Sequence, residues 1–167
     1  MYQIRTAGQE DIPVIRELAN RIWPPTYAAI LDKDQIDYMM NLIYSHSSLL
    51  RQMNERGHIF LLLEYNEAPA GFASYSVHPE SEKVKLEKIY VDPKLQGKGL
   101  GLSLLNTVIE RTREPGLNRL QLNVNRHNKA RYFYEKQGFR IISEEDIDIG
   151  NGFFMNDYVM EKMTDDR

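Results

Sequence analysis

A glycine-rich stretch between a strand pattern and a helix pattern constrains this chain more than any other feature. Residues 91–110 read VDPKLQGKGLGLSLLNTVIE, with alternating glycines at Gly97, Gly99 and Gly101. Because glycine has no Cβ, the amides of such a loop can converge on one concavity, and the following helix adds the positive end of its dipole. The stretch therefore predicts a phosphate-binding site at a strand-to-helix junction.

Two common phosphate-binding loops do not fit this stretch. A P-loop requires Ser or Thr after its Gly-Lys pair, whereas Lys98 is followed by Gly99, so no hydroxyl is placed for magnesium. A dinucleotide fingerprint requires a third glycine at position 102, where Leu102 stands, and it opens a β-α-β unit rather than following a middle strand. The sequence argues against both nucleotide-binding classes.

Hydrophobic periodicity divides the first half of the chain into strands and helices. Residues 2–5 predict a strand and residues 10–23 a helix, and the pattern breaks at Pro24 and Pro25. Apolar residues then recur at helical spacing, which predicts a second, continuous helix over residues 34–53. Three strands follow, and they predict an antiparallel meander over residues 58–65, 70–78 and 84–91.

The second half of the chain continues the mixed pattern. After the glycines, apolar residues line one helix face up to about residue 114, and a strand is predicted over residues 119–124. A further helix is predicted over residues 128–137, with closing strands at residues 139–143 and 154–163. This order predicts an α/β domain whose glycine loop joins a strand to a helix.

Composition narrows the class of protein. A chain of 167 residues with 42% hydrophobic and 27% charged residues predicts a single domain over residues 1–167. Its net charge of −3 lacks the basic excess of proteins that bind nucleic acid non-specifically. Cysteine is absent, which excludes disulfides, thiolate metal sites and a cysteine acyl-enzyme. Without a signal pattern, a membrane span or metal-ligand spacing among the histidines, we expect a cytoplasmic protein with no membrane, nucleic-acid or metal partner.

Three motifs in one order resemble the GNAT N-acetyltransferase superfamily. Residues 96–101, QGKGLG, match the Gln/Arg-x-x-Gly-x-Gly/Ala loop of that family, which binds acetyl-CoA. LEKIYVDP precedes the loop directly, and NKARYFYEKQGF resembles the family segment Asn-x-x-Ala-x-x-Phe-Tyr-x-x-x-Gly-Phe. The resemblance implies a single GNAT-like domain with a mixed, mostly antiparallel sheet, flanked by helices and splayed between strands 4 and 5. It also implies an N-acetyltransferase with acetyl-CoA as co-substrate.

The resemblance also implies which residues bind acetyl-CoA. The loop amides hold the CoA pyrophosphate and Lys98 adds a positive charge, while the backbone of the fourth strand pairs with the pantetheine arm and polarises the thioester carbonyl. Asn128 is either a helix N-cap or, as in the family, a hydrogen-bond partner of the pantetheine arm. The predicted acetyl-CoA-binding residues are Ile89, Tyr90, Val91, Gln96, Gly97, Lys98, Gly99, Leu100, Gly101 and Asn128.

Two residues are predicted to be catalytic. The resemblance places the Tyr134 hydroxyl near the CoA sulfur, where it protonates the departing thiolate. An alkylammonium of pKa near 10.4 is only about one part in two thousand neutral at pH 7, so roughly 4.6 kcal/mol of deprotonation must be supplied. Glu87, on the strand that faces the cofactor, is the first candidate for the base, and a water chain or a solvated, uninvolved Glu87 is the alternative.

The segment between the first two helices is expected to select the acceptor amine. WPPTY at residues 23–27, followed by DKDQIDYMMNLIYS, resembles bacterial spermidine/spermine N-acetyltransferases. Aromatic faces and carboxylates bind a polycation, so Trp23, Tyr27, Asp34 and Asp37 are predicted to bind the acceptor. The alternatives are a core tryptophan and a solvated acidic face.

Several functional alternatives remain open on the sequence alone. Peptide N-termini, aminoglycosides and amino acids are other acceptors that this fold can serve. A non-catalytic acyl-CoA-binding or regulatory module is the alternative from a different class. The oligomeric state is open as well, and it includes a homodimer.

Overall fold

One seven-stranded sheet organises the chain in the computed structural model, which describes residues 1–165. The strand order is β1-β2-β3-β4-β5-β7-β6, and every neighbouring pair is antiparallel except β4 and β5, which are parallel. In chain order the strands are β1 (Tyr2–Ala7), β2 (Ile59–Tyr65), β3 (Ala68–His78), β4 (Lys83–Val91), β5 (Arg119–Asn125), β6 (Arg140–Gly150) and β7 (Phe153–Met163). The predicted mixed, mostly antiparallel sheet is confirmed.

Helices cover both faces of this sheet. They are α1 (Ile12–Tyr27), α2 (Lys33–Tyr44), α3 (His46–Asn54), α4 (Leu100–Arg113) and α5 (Ala130–Lys136). Because side chains alternate along a strand, Phe60 and Leu62 of β2 pack with α1–α3, whereas Leu61 and Leu63 pack with α4 and α5. None of the helices in residues 1–165 has the length and apolar character that a membrane crossing needs.

The sheet splits between β4 and β5. These strands pair only where residues 84–86 lie beside residues 120–122. Beyond that point β4 continues to Val91 and β5 to Asn125 without pairing to each other. The predicted splay is confirmed, and it leaves backbone groups on the facing edges of both strands without a sheet partner.

A β-bulge in β4 lies next to the split. Tyr75 of β3 pairs with Leu86 and Ser74 pairs with Lys88, so Glu87 between them has no partner in the ladder. A bulge bends its strand and redirects the extra side chain. The bulge places Glu87 at the split. Because Glu87 lies outside the regular alternation of the strand, the sequence pattern could not show which face of the sheet its side chain occupies.

Helix α1 does not break at the proline pair, contrary to the prediction. It runs through Pro24 and Pro25 and ends at Tyr27. Both prolines lack the amide N–H that the helix would use. Because both are exposed, the carbonyl groups left without that donor lie on the solvent side of the last turn. Trp23 and Tyr27 are buried on the opposite side, and their packing stabilises this turn against the local propensity.

The predicted second helix is two helices rather than one. Ser45 separates α2 from α3 with an extended backbone (φ −63°, ψ 154°), and its Oγ accepts a hydrogen bond from the Ser48 amide at 3.2 Å. A serine in this position is a favourable N-cap. Apolar spacing alone could not show the break because both helices bury residues against the same α1.

The close approach of β3 to β4 yields a prediction about stability. A Cβ added at Gly71 would lie 2.5 Å from the Tyr90 carbonyl oxygen and 3.1 Å from the Val91 Cα. Both are backbone atoms, so we expect Gly71→Ala to lower the free energy of unfolding by about 2 kcal/mol. Gly101→Ala is the control, because its Cβ would meet only a Val91 methyl group at 4.0 Å in a helix. Urea denaturation measures both, and equal midpoints would contradict the prediction.

Candidate active site

The split between β4 and β5 opens into a cleft of about 850 Å³. It brings together most of the residues that the sequence singled out. The predicted site residues on its walls are Trp23, Tyr27, Glu87, Ile89, Tyr90, Val91, Gln96, Gly97, Gly99, Leu100, Gly101, Asn128 and Tyr134. Lys98, Asp34 and Asp37 are not among the lining residues.

The glycine loop forms one end of the cleft and presents free backbone amides. Gly97 (φ 84°) and Gly99 (φ 74°) adopt left-handed backbone, and α4 begins directly afterwards at Leu100. Within residues 1–165, no oxygen accepts a hydrogen bond from the amides of residues 97–101. Unpaired amides at the N-terminus of a long helix can hold an anion.

Charged residues beside the loop anchor it rather than enter the cleft. Asp92 Oδ1 accepts a hydrogen bond from the Lys94 amide at 3.0 Å, and its Oδ2 pairs with Arg21 of α1, also at 3.0 Å. Lys98 turns away, since its Nζ lies 5.7 Å from the centre of the Tyr65 ring. The positive potential of this end of the cleft therefore comes from the amides and the helix dipole, not from the lysine that the sequence suggested.

The acidic residues of α2 do not reach the cleft. Asp34 and Asp37 are exposed, and Asp37 pairs with Lys33 of the same helix at 2.8 Å. Met39 and Ile43 are the side chains through which α2 contributes to the wall. The prediction that Asp34 and Asp37 face the acceptor is therefore corrected, because these aspartates lie on the solvent side of the helix.

Aromatic residues from α1 and β4 form part of the cleft wall. The Tyr27 and Tyr90 hydroxyls lie 2.9 Å apart, and the Trp23 ring centre is 4.5 Å from that of Tyr27. Trp23 Nε1 donates to the Tyr44 hydroxyl at 2.9 Å, so this tryptophan is both a core residue and part of the wall. Burial raises the pKa of Tyr27 and of Tyr90, which keeps both phenols neutral.

Tyr134 and Asn128 border the cleft from the α5 side. The Tyr134 ring packs against Phe133 at 5.4 Å and Phe139 at 5.6 Å, while no group in residues 1–165 hydrogen-bonds its hydroxyl. Burial, with a smaller contribution from Tyr27, raises the pKa of Tyr134. Asn128 Oδ1 accepts a hydrogen bond from the Ala130 amide at 2.9 Å and so caps the start of α5.

Glu87 lies in a polar group at the bulge. Ser76 Oγ donates to Glu87 Oε2 at 2.6 Å, and His58 Nε2 and Lys85 Nζ lie 3.6 Å and 3.9 Å from the carboxylate. The next residue, Lys88, donates to Gln52 Oε1 at 2.6 Å, and burial lowers the pKa of its ammonium to about 8. Glu87 therefore lines the cleft with a carboxylate that already has several partners.

One buried carboxylate of the cleft was missed by the sequence analysis. Asp157 of β7 is 5% exposed, its Oδ2 accepts from Asn123 Nδ2 at 3.3 Å, and its Oδ1 has no partner. Burial raises its pKa, although the bond from Asn123 opposes that effect. The alternation of side chains along a strand was the available signal, since it places Met155, Asp157 and Val159 on the same face of β7.

Comparisons with known proteins agree on one family. The model of the acetyltransferase (GNAT) family matches residues 12–139. Over 165 residues, 96% of both chains, the protein is 28% identical to the spermidine N(1)-acetyltransferase of Thermoplasma acidophilum. It is 30% identical over 129 residues to the spermine/spermidine N(1)-acetyltransferase of Bacillus subtilis, covering 72% of this chain and 85% of that one. It is also 31% identical over 121 residues, 72% of this chain and 77% of that one, to a Haemophilus influenzae alanine N-acetyltransferase for ribosomal protein bS18.

Solved structures show the same similarity. The PaiA N-acetyltransferase of Thermoplasma acidophilum, crystallised with coenzyme A, superposes with a TM-score of 0.80 at 27% identity, over 98% of this chain and 99% of that one. A GCN5-related N-acetyltransferase from Rhodopseudomonas palustris superposes with a TM-score of 0.83 at 19% identity, over 96% and 94% of the two chains. The second similarity concerns the fold alone.

Proposed function

The chain belongs to the acetyltransferase (GNAT) family, and from that premise we propose that it acetylates a primary amine of a polyamine, with Tyr134 as general acid. It is an acetyl-CoA-dependent N-acetyltransferase, as the family match and the named relatives indicate. The observation that carries the finer proposal is the cleft itself. Its walls carry the free amides of the glycine loop, the buried phenol of Tyr134 and the carboxylates of Glu87 and Asp157.

We assign the CoA part of acetyl-CoA to the loop side of the cleft. The amides of residues 97–101 would bind the pyrophosphate, since they are unpaired and lie at the start of α4. The pantetheine arm would follow the unpaired edge of β4 at Ile89, Tyr90 and Val91, as an added strand does. An amide on that edge can then polarise the thioester carbonyl.

The chemistry proposed is direct attack of the amine on the thioester. The amine lone pair forms a C–N bond with the carbonyl carbon, and the C–S bond breaks as the tetrahedral intermediate collapses. Tyr134 gives its proton to the departing thiolate. Burial favours this role in one respect, because the raised pKa keeps the phenol protonated at every pH at which the protein works.

A polyamine acceptor is supported by the wall around Trp23 and Tyr27. Two carboxylates, Glu87 and Asp157, line the same cleft, and aromatic rings attract ammonium groups. Lys88 also lines the cleft and opposes this negative potential, since a pKa of about 8 leaves it mostly protonated at pH 7, and Gln52 holds its Nζ at 2.6 Å. Two relatives are named for spermidine or spermine acetylation.

Charge at the loop gives a test of CoA binding. Asn and Asp both tolerate left-handed backbone and differ in charge at nearly equal size, so Gly99→Asp and Gly99→Asn form a matched pair. We expect the Asp variant to bind acetyl-CoA at least tenfold more weakly than the Asn variant, about 1.4 kcal/mol. The gap should shrink as salt rises. If titration calorimetry gives equal affinities for the two variants, the assignment of the pyrophosphate to the loop is wrong.

Removal of the phenol tests the general acid. Tyr134→Phe should lower kcat by about 10²-fold and leave the Kd for acetyl-CoA near that of the wild type, since proton donation occurs in the transition state. Tyr132→Phe is the control, because Tyr132 lies on the same helix and is 55% exposed. Steady-state kinetics and calorimetry measure both variants. A Tyr134→Phe enzyme with undiminished kcat would exclude Tyr134 from proton transfer.

An amine panel tests the acceptor class. Spermidine should be acetylated with a kcat/KM about tenfold above that of a monoamine of similar length, because each further ammonium gains a carboxylate or an aromatic partner. Salt should raise the spermidine KM and spare kcat, and Glu87→Gln should raise this KM as well. Asp34→Asn combined with Asp37→Asn is the control and should leave it nearly unchanged. If a peptide N-terminus is acetylated faster than spermidine, the polyamine proposal fails and the acetyltransferase activity stands.

A further inference from the structure

Asp157 has a feature that no other carboxylate of the cleft shares. Its exposed fraction is only 5%, and it lines the cleft. One of its two carboxylate oxygens has no hydrogen-bond partner. An unpartnered buried carboxylate is unfavourable because water no longer solvates its charge. The carboxylate of Asp157 therefore lies in the wall of the cleft with hydrogen-bonding capacity that the fold does not use.

The surroundings of Asp157 do not neutralise it. The one hydrogen-bond donor to its carboxylate is the neutral amide of Asn123, whereas Arg126 Nη1 donates to its main-chain carbonyl oxygen at 3.4 Å. None of the ion pairs formed by residues 1–165 includes Asp157. The charged and titratable groups that face it come from α1, β4, β6 and the segment after β5, and they are Tyr27, Lys85, Glu145 and Arg126. The two cations among them pair elsewhere: Lys85 with Glu87, and Arg126 with Glu144 and Asp146.

A second carboxylate on the same strand shows the contrast. Glu161 lies four residues along β7 on the same face and is also buried, with an exposed fraction of 8%. Its Oε2 accepts hydrogen bonds from Gln121 at 2.6 Å and from Arg119 at 3.0 Å. Burial alone would raise its pKa, but these bonds outweigh burial and lower it. The fold therefore supplies hydrogen-bond donors to the Glu161 carboxylate, whereas it leaves one oxygen of Asp157 without a partner.

The position of Asp157 relates it to the reacting groups. It pairs with Asn125 in the β5–β7 ladder, beyond the point where β5 leaves β4. Tyr27 and Tyr134 line the same cleft as Asp157. Glu87, by contrast, directs its carboxylate to Ser76.

We propose that Asp157 is the general base of the transfer: its carboxylate, which lines the cleft, binds the acceptor's ammonium group and accepts one proton from it. The neutral amine then attacks the thioester carbonyl, the C–N bond forms and the C–S bond breaks. The CoA thiolate receives its proton from Tyr134, and the second amine proton restores the phenol through solvent. Asp157 returns its proton to solvent, so one proton is released per turnover. This inference rests on the proposed function only in that the acceptor is an amine.

The test is Asp157→Asn in the full chain, with the amine that the wild-type enzyme acetylates fastest. We expect kcat/KM for that amine to fall by about 10²-fold at pH 7 and the Kd for acetyl-CoA to stay within twofold. The deficit should narrow as pH approaches 10, because the amine then arrives neutral and needs no base. Asp157→Glu keeps a carboxylate and should recover part of the activity.

Stability separates this role from a structural one. Asp157→Asn removes an uncompensated buried charge, so its thermal midpoint should equal or exceed that of the wild type. Glu161→Gln is the matched control, and it should lower the midpoint while leaving kcat/KM within twofold. The proposal is overturned if Asp157→Asn keeps kcat/KM within threefold, if its deficit is constant up to pH 10, or if it loses stability and acetyl-CoA affinity together. If the preferred amine is not a polyamine, the proposed acceptor class is wrong. The same experiment with that amine still tests the role of Asp157.

Discussion

The separation of β4 from β5 after a few paired residues is the constraint on which the rest of the structure depends. Parallel pairing of residues 84–86 with residues 120–122 holds the two halves of the sheet together. Beyond it, the facing backbone groups have no sheet partner, and such groups are costly unless water or a ligand satisfies them. The cleft, its unpaired β4 edge and the entry to α4 all follow from that separation. A cofactor with an extended, amide-containing arm would satisfy these groups in the way that a missing strand does.

Charge is distributed unequally along this cleft. Unpaired amides and the start of α4 make the loop end positive without any side-chain cation, since Lys98 lies over the Tyr65 ring. Glu87 and Asp157 also line the cleft and carry carboxylates. The cleft therefore combines groups that can bind an anionic cofactor with carboxylates that would favour a cationic acceptor. This arrangement requires no strong net charge on the protein, which is only −3.

The structure places most of the loop residues at the cleft, as the sequence suggested, but not the aspartates of α2, and the difference has a physical reason. Residues 96–101 are contiguous, so their glycines report the local geometry directly. Asp157 and Asn123 are 34 residues apart and meet only because β7 lies between β5 and β6. Asp34 and Asp37 have the right chemistry on the wrong helix face, and that face is decided by which side of α2 packs on α1. Side-chain composition suggested carboxylates in the wall of the cleft, but strand order and helix packing decide which carboxylates lie there.

Burial has opposite chemical consequences for the phenol and the carboxylate of the cleft, although it raises the pKa of both. For Tyr134 it keeps the proton in place, as a general acid requires before the thiolate departs. For Asp157 it makes the carboxylate a stronger proton acceptor than one in water. Neither group is satisfied by the fold, since the phenol has no partner in residues 1–165 and Asp157 Oδ1 has none. Glu161 on the same strand accepts hydrogen bonds from Arg119 and Gln121 at its Oε2. The fold can satisfy a buried carboxylate on this face of β7, so leaving Asp157 free is a feature of the cleft and not a limit of the sheet.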